Sequence, residues 1–426
     1  MNNSERQAVA ALASVYSMRM LGLFMVLPVF ALLGPELTGA SPALIGLAIG
    51  IYGLGQASLQ VPFGALSDRL GRKRLIYIGL IIFAAGSVLA AASDHIYGVI
   101  AGRALQGGGA IASVLMALVS DLTRAEQRTK AMASIGVTIG LSFSLSLILG
   151  PLLSQIAGLA GIFYLTAVLA LAAIVVVWKL VPDPPAMVTR GEHLPARAML
   201  GHVLRDPRLL RLDFGIFALH LVLTALFIQV PVLLSDKLGL AMGSMWWFYL
   251  TVMVTSFFAM VPFIVFGEKK QQMKAVLSGA VAMLLLSSLA LWQWSVTLTA
   301  AWLGLFFFFM AFNLLEASLP SLISKESPSG AKGTAMGVYS TSQFFGAFLG
   351  GAAGGVLAGW AGADGVFGLM AVVLLAWLVV AGTMAPPRYR DRGEGEFVVE
   401  LQESDTDDES SQMNNDRTGV NHGTRC

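Results

Sequence analysis

Charge is what this chain has least of. Of its 426 residues only 12% are Asp, Glu, Lys or Arg, about half the share of a water-soluble domain, which excludes a soluble globule. Cysteine is nearly absent as well: the one thiol, Cys426, stands at the last position, so no intrachain disulfide forms. No paired-histidine zinc motif, phosphate-loop lysine-serine pair or nucleophile elbow occurs in a credible context. That excludes ATP-driven and enzymatic chemistry of the familiar kinds, and neither a metal nor a cofactor is expected. The net charge of +2 gives no sign of a nucleic-acid partner, because in such a chain the placement of the bases matters and their sum does not.

What fills the sequence is apolar: 56% hydrophobic residues, with a mean hydropathy of +0.75. A helix rising about 1.5 Å per residue needs about twenty apolar residues to cross a hydrocarbon core of about 30 Å. Twelve such windows occur, near 8–33, 43–66, 75–93, 96–119, 131–154, 158–181, 212–235, 244–266, 274–292, 297–320, 334–358 and 364–384. The expected fold is an all-α membrane protein of twelve transmembrane helices, with both ends on one side. Turns holding Arg69, Arg72, Lys73 and Arg74, then Arg124, Arg128 and Lys130, then Lys269, Lys270 and Lys274, then Lys325 and Lys332 alternate with turns that hold almost none; Lys237 alone breaks the pattern. The positive-inside rule therefore places the N-terminus, the C-terminus and the central loop with Arg190, Arg197, Arg205 and Arg208 in the cytoplasm. The first window is too long for a signal h-region and no small-residue cleavage site follows it, so it reads as a retained helix.

The longest connection between windows, Pro182 to Arg211, begins Pro-Asp-Pro-Pro and marks a boundary. On either side the sequence repeats itself. Val61-Pro62-Phe63 recurs 200 positions later as Val261-Pro262-Phe263, and Arg128-Thr-Lys-Ala131-Met132-Ala133 recurs 204 positions later as Lys332-Gly-Thr-Ala335-Met336-Gly337. Two similar offsets in two loop regions point to one duplication. The expected organisation is a six-helix bundle over 1–181, a cytoplasmic linker over 182–211, a second six-helix bundle over 212–384 and a polar, disordered tail over 385–426, too poor in apolar surface to fold alone. In the second copy Gln271 replaces the glycine of the first, so its turn is expected to be less tight.

One polar segment stands out: Gly64-Ala-Leu-Ser-Asp68-Arg69-Leu-Gly71-Arg72-Lys73-Arg74, pinned between two apolar windows. Gly64 and Gly71 permit close helix approach and a sharp turn. Asp68 can face a helix N-terminus, and Arg69, Arg72 and Lys73 can pair with acids on neighbouring helices such as Asp121. This segment resembles the signature loop of the major facilitator superfamily. Arg103-Ala-Leu-Gln106-Gly107-Gly-Gly109 is similar to the buried-arginine motif of its drug/proton antiporter branch, and Gly136, Gly140, Gly150 and Pro151 are similar to the glycine-proline antiporter motif. The resemblance implies two parallel six-helix halves with a substrate site between them. It also implies a gating role for the loop, closing the cytoplasmic ends in one access state, with the start of the eleventh helix near Gly333 to Gly337 as its dipole partner. The plain alternative is that these charges only set topology.

Ionisable residues inside the windows are few: Arg19, Arg103, His220 and Glu316. Each carries an insertion cost of several kcal/mol unless it faces a cavity or a partner. The resemblance places all four on the transport path. Arg103 is expected to orient water or a carboxylate, and Glu316 is the candidate proton carrier; alternatively Glu316 is a structural acid paired with Arg19 or a backbone group. For His220 a helix-packing role is preferred. Phe24, Met25, Phe217, Phe227, Trp246 and the run Phe306 to Phe309 supply apolar surface for an amphipathic cargo or simply for packing. The expectation is a secondary transporter working by alternating access, exporting small amphipathic or drug-like compounds against protons. It is read as a monomer in a bacterial inner membrane, its partners a small-molecule substrate, protons and the lipid bilayer. The alternatives are an exchanger of metabolites or organic anions that uses Arg19 and Arg103 as an anion site, and a receptor or scaffold that transports nothing.

Overall fold

A computed structural model describes residues 1–183, 196–327 and 332–384. The tail expected over 385–426 and Arg190 of the linker lie outside them. Among the described residues the chain is helical with no strand; Thr38 and His95 form a single isolated bridge.

The first crossing is α1 (Asn3–Phe24) followed by α2 (Leu27–Leu33). Pro28 has no N–H to give the preceding turn, so the ladder breaks just before it. Then come α3 (Pro42–Leu70) and α4 (Arg72–Ala91), and a broken crossing made of α5 (Ile96–Gly108) and α6 (Ala112–Asp121). The 56-residue α7 (Ala125–Leu180) follows, with α8 (Ala196–Val203), α9 (Pro207–Val232), α10 (Met242–Lys269), α11 (Met273–Trp294), α12 (Leu298–Glu326) and the 51-residue α13 (Lys332–Gly382) after it. At about 1.5 Å per residue α7 and α13 are each long enough to cross twice. Each reverses at a glycine, Gly158 (φ 61°) and Gly362 (φ 58°). The twelve crossings read from the apolar windows are therefore present.

Left-handed backbone recurs at the spacing of the sequence repeats. Gly39 (φ 74°) and Gly239 (φ 68°) are 200 positions apart, Gly71 (φ 94°) and Gln271 (φ 54°) are also 200 apart, and Gly158 and Gly362 are 204 apart. The second pair corrects an expectation. The turn at Gln271 keeps its left-handed conformation without a glycine, held by the Gln272 N–H to the Gly267 carbonyl at 3.0 Å and the Lys270 N–H to the Phe266 carbonyl at 2.9 Å.

Glycines also set how α13 seats. A Cβ on Gly46, Gly50 or Gly53 of α3 would meet the backbone of Gly351, Phe348 or Phe344 on α13, the helices running antiparallel. On another face of α13, a Cβ on Gly346 or Gly350 would meet the carbonyl of Phe217 or Leu221 on α9. All these contacts lie in the half of α3 away from the Gly64–Arg74 turn, and at that same end Ser154 Oγ of α7 reaches Met242 Sδ of α10 at 3.4 Å. On the side of the turn, Gly136, Gly140, Gly333 and Gly337 would each meet nothing within 4 Å. Among the described residues, close glycine contacts of this kind between the two halves lie only at the end away from the turn, and in this sense the end that carries the turn is the open one. Its outer surface is apolar, with Ile156, Trp178, Trp360 and Val379 exposed, as lipid contact requires.

Candidate functional site

In the signature turn, Gly71 holds a φ that L side chains rarely adopt, and nothing crowds the space where its Cβ would stand, so backbone conformation is the reason for glycine here. Gly64 is different: a Cβ there would sit 3.5 Å from Ser113 Oγ, an ordinary contact, so the expected close approach at Gly64 is not made. Arg72 is the hub, pairing with Asp68, with Asp121 Oδ2 at 3.1 Å and with Ser67 Oγ at 2.5 Å. Lys73 meets the exposed Asp183 at 2.8 Å. Arg69 and Arg74 are exposed. Asp68 is turned to Arg72, and among the described residues no hydrogen bond or ion pair joins it to the start of α13.

Farther in, two guanidiniums flank one tyrosine. Arg19, 1% exposed, donates from Nη2 to Tyr52 Oη at 2.9 Å, and the Arg103 guanidinium lies over the Tyr52 ring at 5.2 Å. Arg103 is spent on structure: it donates to the carbonyls of Ala48 and Ile49, each at 3.2 Å, and to Gln106 Oε1 at 3.0 Å. Gln106 in turn donates to Ser87 Oγ at 2.7 Å. The expected carboxylate partner of Arg103 is not found among the described residues. Arg19 keeps Nε and Nη1 without a partner, and it does not pair with Glu316.

The other ionisable residues converge on α9, α12 and α13. His220 Nδ1 lies 3.3 Å from the Ile216 carbonyl, which can only accept, so the proton sits on Nδ1. Nε2 then accepts from Gln343 Nε2 at 2.8 Å. The same Gln343 amide donates to Glu316 Oε1 at 3.3 Å, while Glu316 Oε2 is 3.8 Å from His220 Nε2 and has no hydrogen-bond partner. Both ring nitrogens of His220 are thus engaged, and the ring helps to frame Glu316, whose side chain remains 31% exposed. Beside this frame stands an aromatic cluster: Phe143 of α7 packs on Phe24 at 5.0 Å, on Phe312 at 5.9 Å and on Phe227 at 6.5 Å, and Phe312 lies 6.1 Å from the His220 ring.

Asp213 and Tyr339 were not among the candidates. Asp213 sits one residue inside its apolar window and so reads as interfacial, yet it is 4% exposed with both carboxylate oxygens unpartnered. Its seven-residue spacing from His220, two turns on one helix face, is the signal that finds it. In the glycine-proline motif, a Cβ on Gly150 would collide with the Met25 carbonyl and stand 3.0 Å from Pro28 Cγ, so the break in the first crossing packs against it. Pro151 follows within α7, its carbonyl accepting from Ser154 Oγ at 2.9 Å. A Cβ on Gly136 or Gly140 would meet nothing within 4 Å, so no close approach requires glycine at either position in this arrangement.

A bundle of twelve crossings, open at one end, with ionisable groups on the helices that line the opening, defines a secondary transporter of the Major Facilitator Superfamily, and the profile of that family matches residues 12–351: the chain belongs to it. It is 49% identical over 389 residues to the inner membrane transport protein YajR of Escherichia coli, covering 91% of this chain and 86% of that one. It is 27% identical over 374 residues to the multidrug resistance protein MdtH of Aeromonas salmonicida, covering 84% and 91%. Among solved structures, a bacterial homologue of the human lysosomal transporter Spinster, inward-facing and occupied, matches with a TM-score of 0.72 at 13% identity over 90% of this chain and 96% of that one, a likeness of fold. The chain is a multi-pass membrane transport protein and not an enzyme.

Proposed function

We propose that this transporter exports small amphipathic compounds in exchange for protons, by alternating access between a half over 1–181 and a half over 212–384 joined by a cytoplasmic linker. Glu316 carries the proton. One observation supports this above others: its side chain is part-exposed, with Oε1 joined to Gln343 and Oε2 buried without a hydrogen-bond partner, one turn along α12 from Phe312, which belongs to the ring cluster of Phe143 and Phe227. A cationic or neutral amphiphile meets apolar rings and a negative charge there, and cargo and proton compete for one carboxylate. The name of the Aeromonas relative agrees with such cargo, and the name of the Escherichia relative with an inner-membrane location; both ends then lie in the cytoplasm. The Arg72 hub is the gate. In the opposite access state Asp68 leaves Arg72 for the N-terminus of α13. The test is proton flux in proteoliposomes holding a pH gradient, with a panel of lipophilic cations, neutral drugs and organic anions. Collapse of the gradient by a cation or neutral drug, abolished in Glu316→Gln, supports the reading; collapse that survives in Glu316→Gln overturns it.

A second reading rests on Arg19. A buried guanidinium with two unpartnered nitrogens and no ion pair to a carboxylate among the described residues is suited to an oxyanion, which would make the protein an exchanger of organic anions. Exchange of labelled organic anions without proton movement, lost in Arg19→Gln, is the result that favours it.

A further inference from the structure

Three unpartnered polar groups lie along one side of the Glu316 site, and the mechanism above uses only the first. They are Glu316 Oε2, Tyr339 Oη and the two carboxylate oxygens of Asp213. Asp213 is 4% exposed and Tyr339 3%, so neither is a surface group turned inward by chance. Gln343 of α13 and His220 of α9 are joined at 2.8 Å, and Tyr339 stands one turn before Gln343 and Asp213 two turns before His220 on those same helices. A buried carboxylate or hydroxyl left without a partner costs about 1–3 kcal/mol or more, and three of them in one place call for a function.

Their depths form a ladder. Counting about 1.5 Å per residue from the helix ends on the side of the signature turn, Asp213 lies about 9 Å into α9 and Tyr339 about 10 Å into α13. Glu316 lies about 15 Å from the end of α12, Gln343 about 16 Å into α13 and His220 about 20 Å into α9. Asp213 and Tyr339 are thus level with each other, one step nearer the open face than Glu316 and Gln343. Tyr339 and Gln343 are four residues apart on α13 and Asp213 and His220 seven apart on α9, so each helix presents both rungs on one face.

We propose that Asp213 and Tyr339 continue the proton path from Glu316 to the open face, with Asp213 as the second carboxyl through which each proton passes. The inference rests on the reading of Glu316 as proton carrier. The step balances without any co-reactant. None of the three groups is hydrogen-bonded to another in this arrangement, so a side-chain rotation or an intervening water closes each gap: the Tyr339 hydroxyl receives a proton on its oxygen as Glu316 gives one up and releases its own toward Asp213, which passes it to water at the open end. Glu316 becomes a carboxylate and every other group returns to its starting form. The helices packed against Asp213 carry Lys332 at the start of α13, Lys325 in the last turn of α12 and Arg211 on α9, and none of them is bonded to Asp213, whose two oxygens have no partner. From α13 comes Tyr339 and from α12 Glu316, while α2 has no titratable residue. Arg208 of α9 itself is engaged with Glu326 at 3.2 Å. A proton can therefore rest on Asp213 without being displaced by a salt bridge.

The test needs no known cargo. The purified full chain in liposomes is followed by infrared absorption of its protonated carboxyls after a pH jump. Glu316→Gln is expected to remove one titrating band and Asp213→Asn another. In Asp213→Asn the protonation of Glu316 slows about tenfold or more, the scale of a lost positioned proton-transfer group. Formate, a small weak acid, restores the rate, which it would not do for a purely structural defect. Asp213→Glu keeps the fast phase and serves as a folded control, and Tyr339→Phe slows it as Asp213→Asn does. An unchanged rate in Asp213→Asn, with the Glu316 band still titrating, overturns the relay and leaves the proton reading standing. No band lost in Glu316→Gln overturns both.

Discussion

Arg208 Nη1 lies 3.2 Å from Glu326 Oε2, tying the first turn of α9 to the last turn of α12. The corresponding place in the first half of the chain holds Glu5 and Arg124, at 3.0 Å, with the signs exchanged; the partners stand 203 and 202 positions earlier. Both pairs fasten the start of a half's first crossing to the end of its fourth. A surface ion pair contributes about 0–1 kcal/mol and a charged hydrogen bond about 1.5–3. Arg208–Glu326, with Glu326 nearly buried and Arg208 part-exposed, falls between. Glu326→Gln is expected to lower thermal stability in detergent by about 1 kcal/mol, and the exchange Arg208→Glu with Glu326→Arg to recover most of it. A double variant no better than Glu326→Arg alone would show that the pairing is incidental.

Gln271 occupies a left-handed turn that its counterpart fills with Gly71. Such a conformation costs a non-glycine residue about 1–2 kcal/mol, and glycine returns part of that through the greater freedom of its unfolded chain. Gln271→Gly is therefore expected to raise the melting temperature slightly, by about 0.5–1 kcal/mol of stability, and Gly71→Ala to lower it by about 1 kcal/mol or more. Differential scanning fluorimetry on the two variants measures both. Destabilisation by Gln271→Gly would show that the glutamine side chain holds the turn.

The seam between α3 and α13 closes one end of the molecule. A Cβ on Gly50 would stand 2.5 Å from the Phe348 carbonyl oxygen, closer than real Cβ contacts come, so Gly50→Ala forces the helices apart. Spin labels on the loops beyond this end are expected to report longer distances and a smaller fraction of the arrangement described here. An unchanged distance distribution would mean that the seam yields by small shifts along its length.

The gate predicts a conditional contact. With cysteines at Asp68 and Gly333, crosslinking by a short bifunctional reagent is expected to be slow in the open arrangement. It becomes fast when the closed seam is weakened by Gly50→Ala. Equal rates in both backgrounds would show that the turn does not approach α13 during the cycle.

Much of this was legible in the sequence. Apolar length alone located the crossings, because a continuous run of about twenty apolar residues satisfies its backbone in lipid as a helix and is about twice what a barrel strand needs, and the charged turn with Arg72 and Asp121 announced its own pairing. Other features were hidden for physical reasons. Asp213 stands at the edge of a window, where hydropathy cannot tell a wet carboxylate from a buried one. Gln343 is neutral, so a search for charges in the membrane passes it by, although it joins His220 to Glu316. Arg103 carries the residues of a proton-handling motif, but whether backbone carbonyls consume its donors depends on how α3 approaches α5, and spacing does not report that.

The central claim is that cargo and proton share Glu316, and the most direct measurement is proton release on cargo binding. The purified chain in unbuffered detergent solution is mixed with ethidium, a lipophilic cation, while a pH dye records the bulk. The account predicts release of protons that saturates with binding in the wild type, and in Glu316→Gln either no binding or binding without release. Saturable ethidium binding accompanied by the same proton release in both proteins would contradict it.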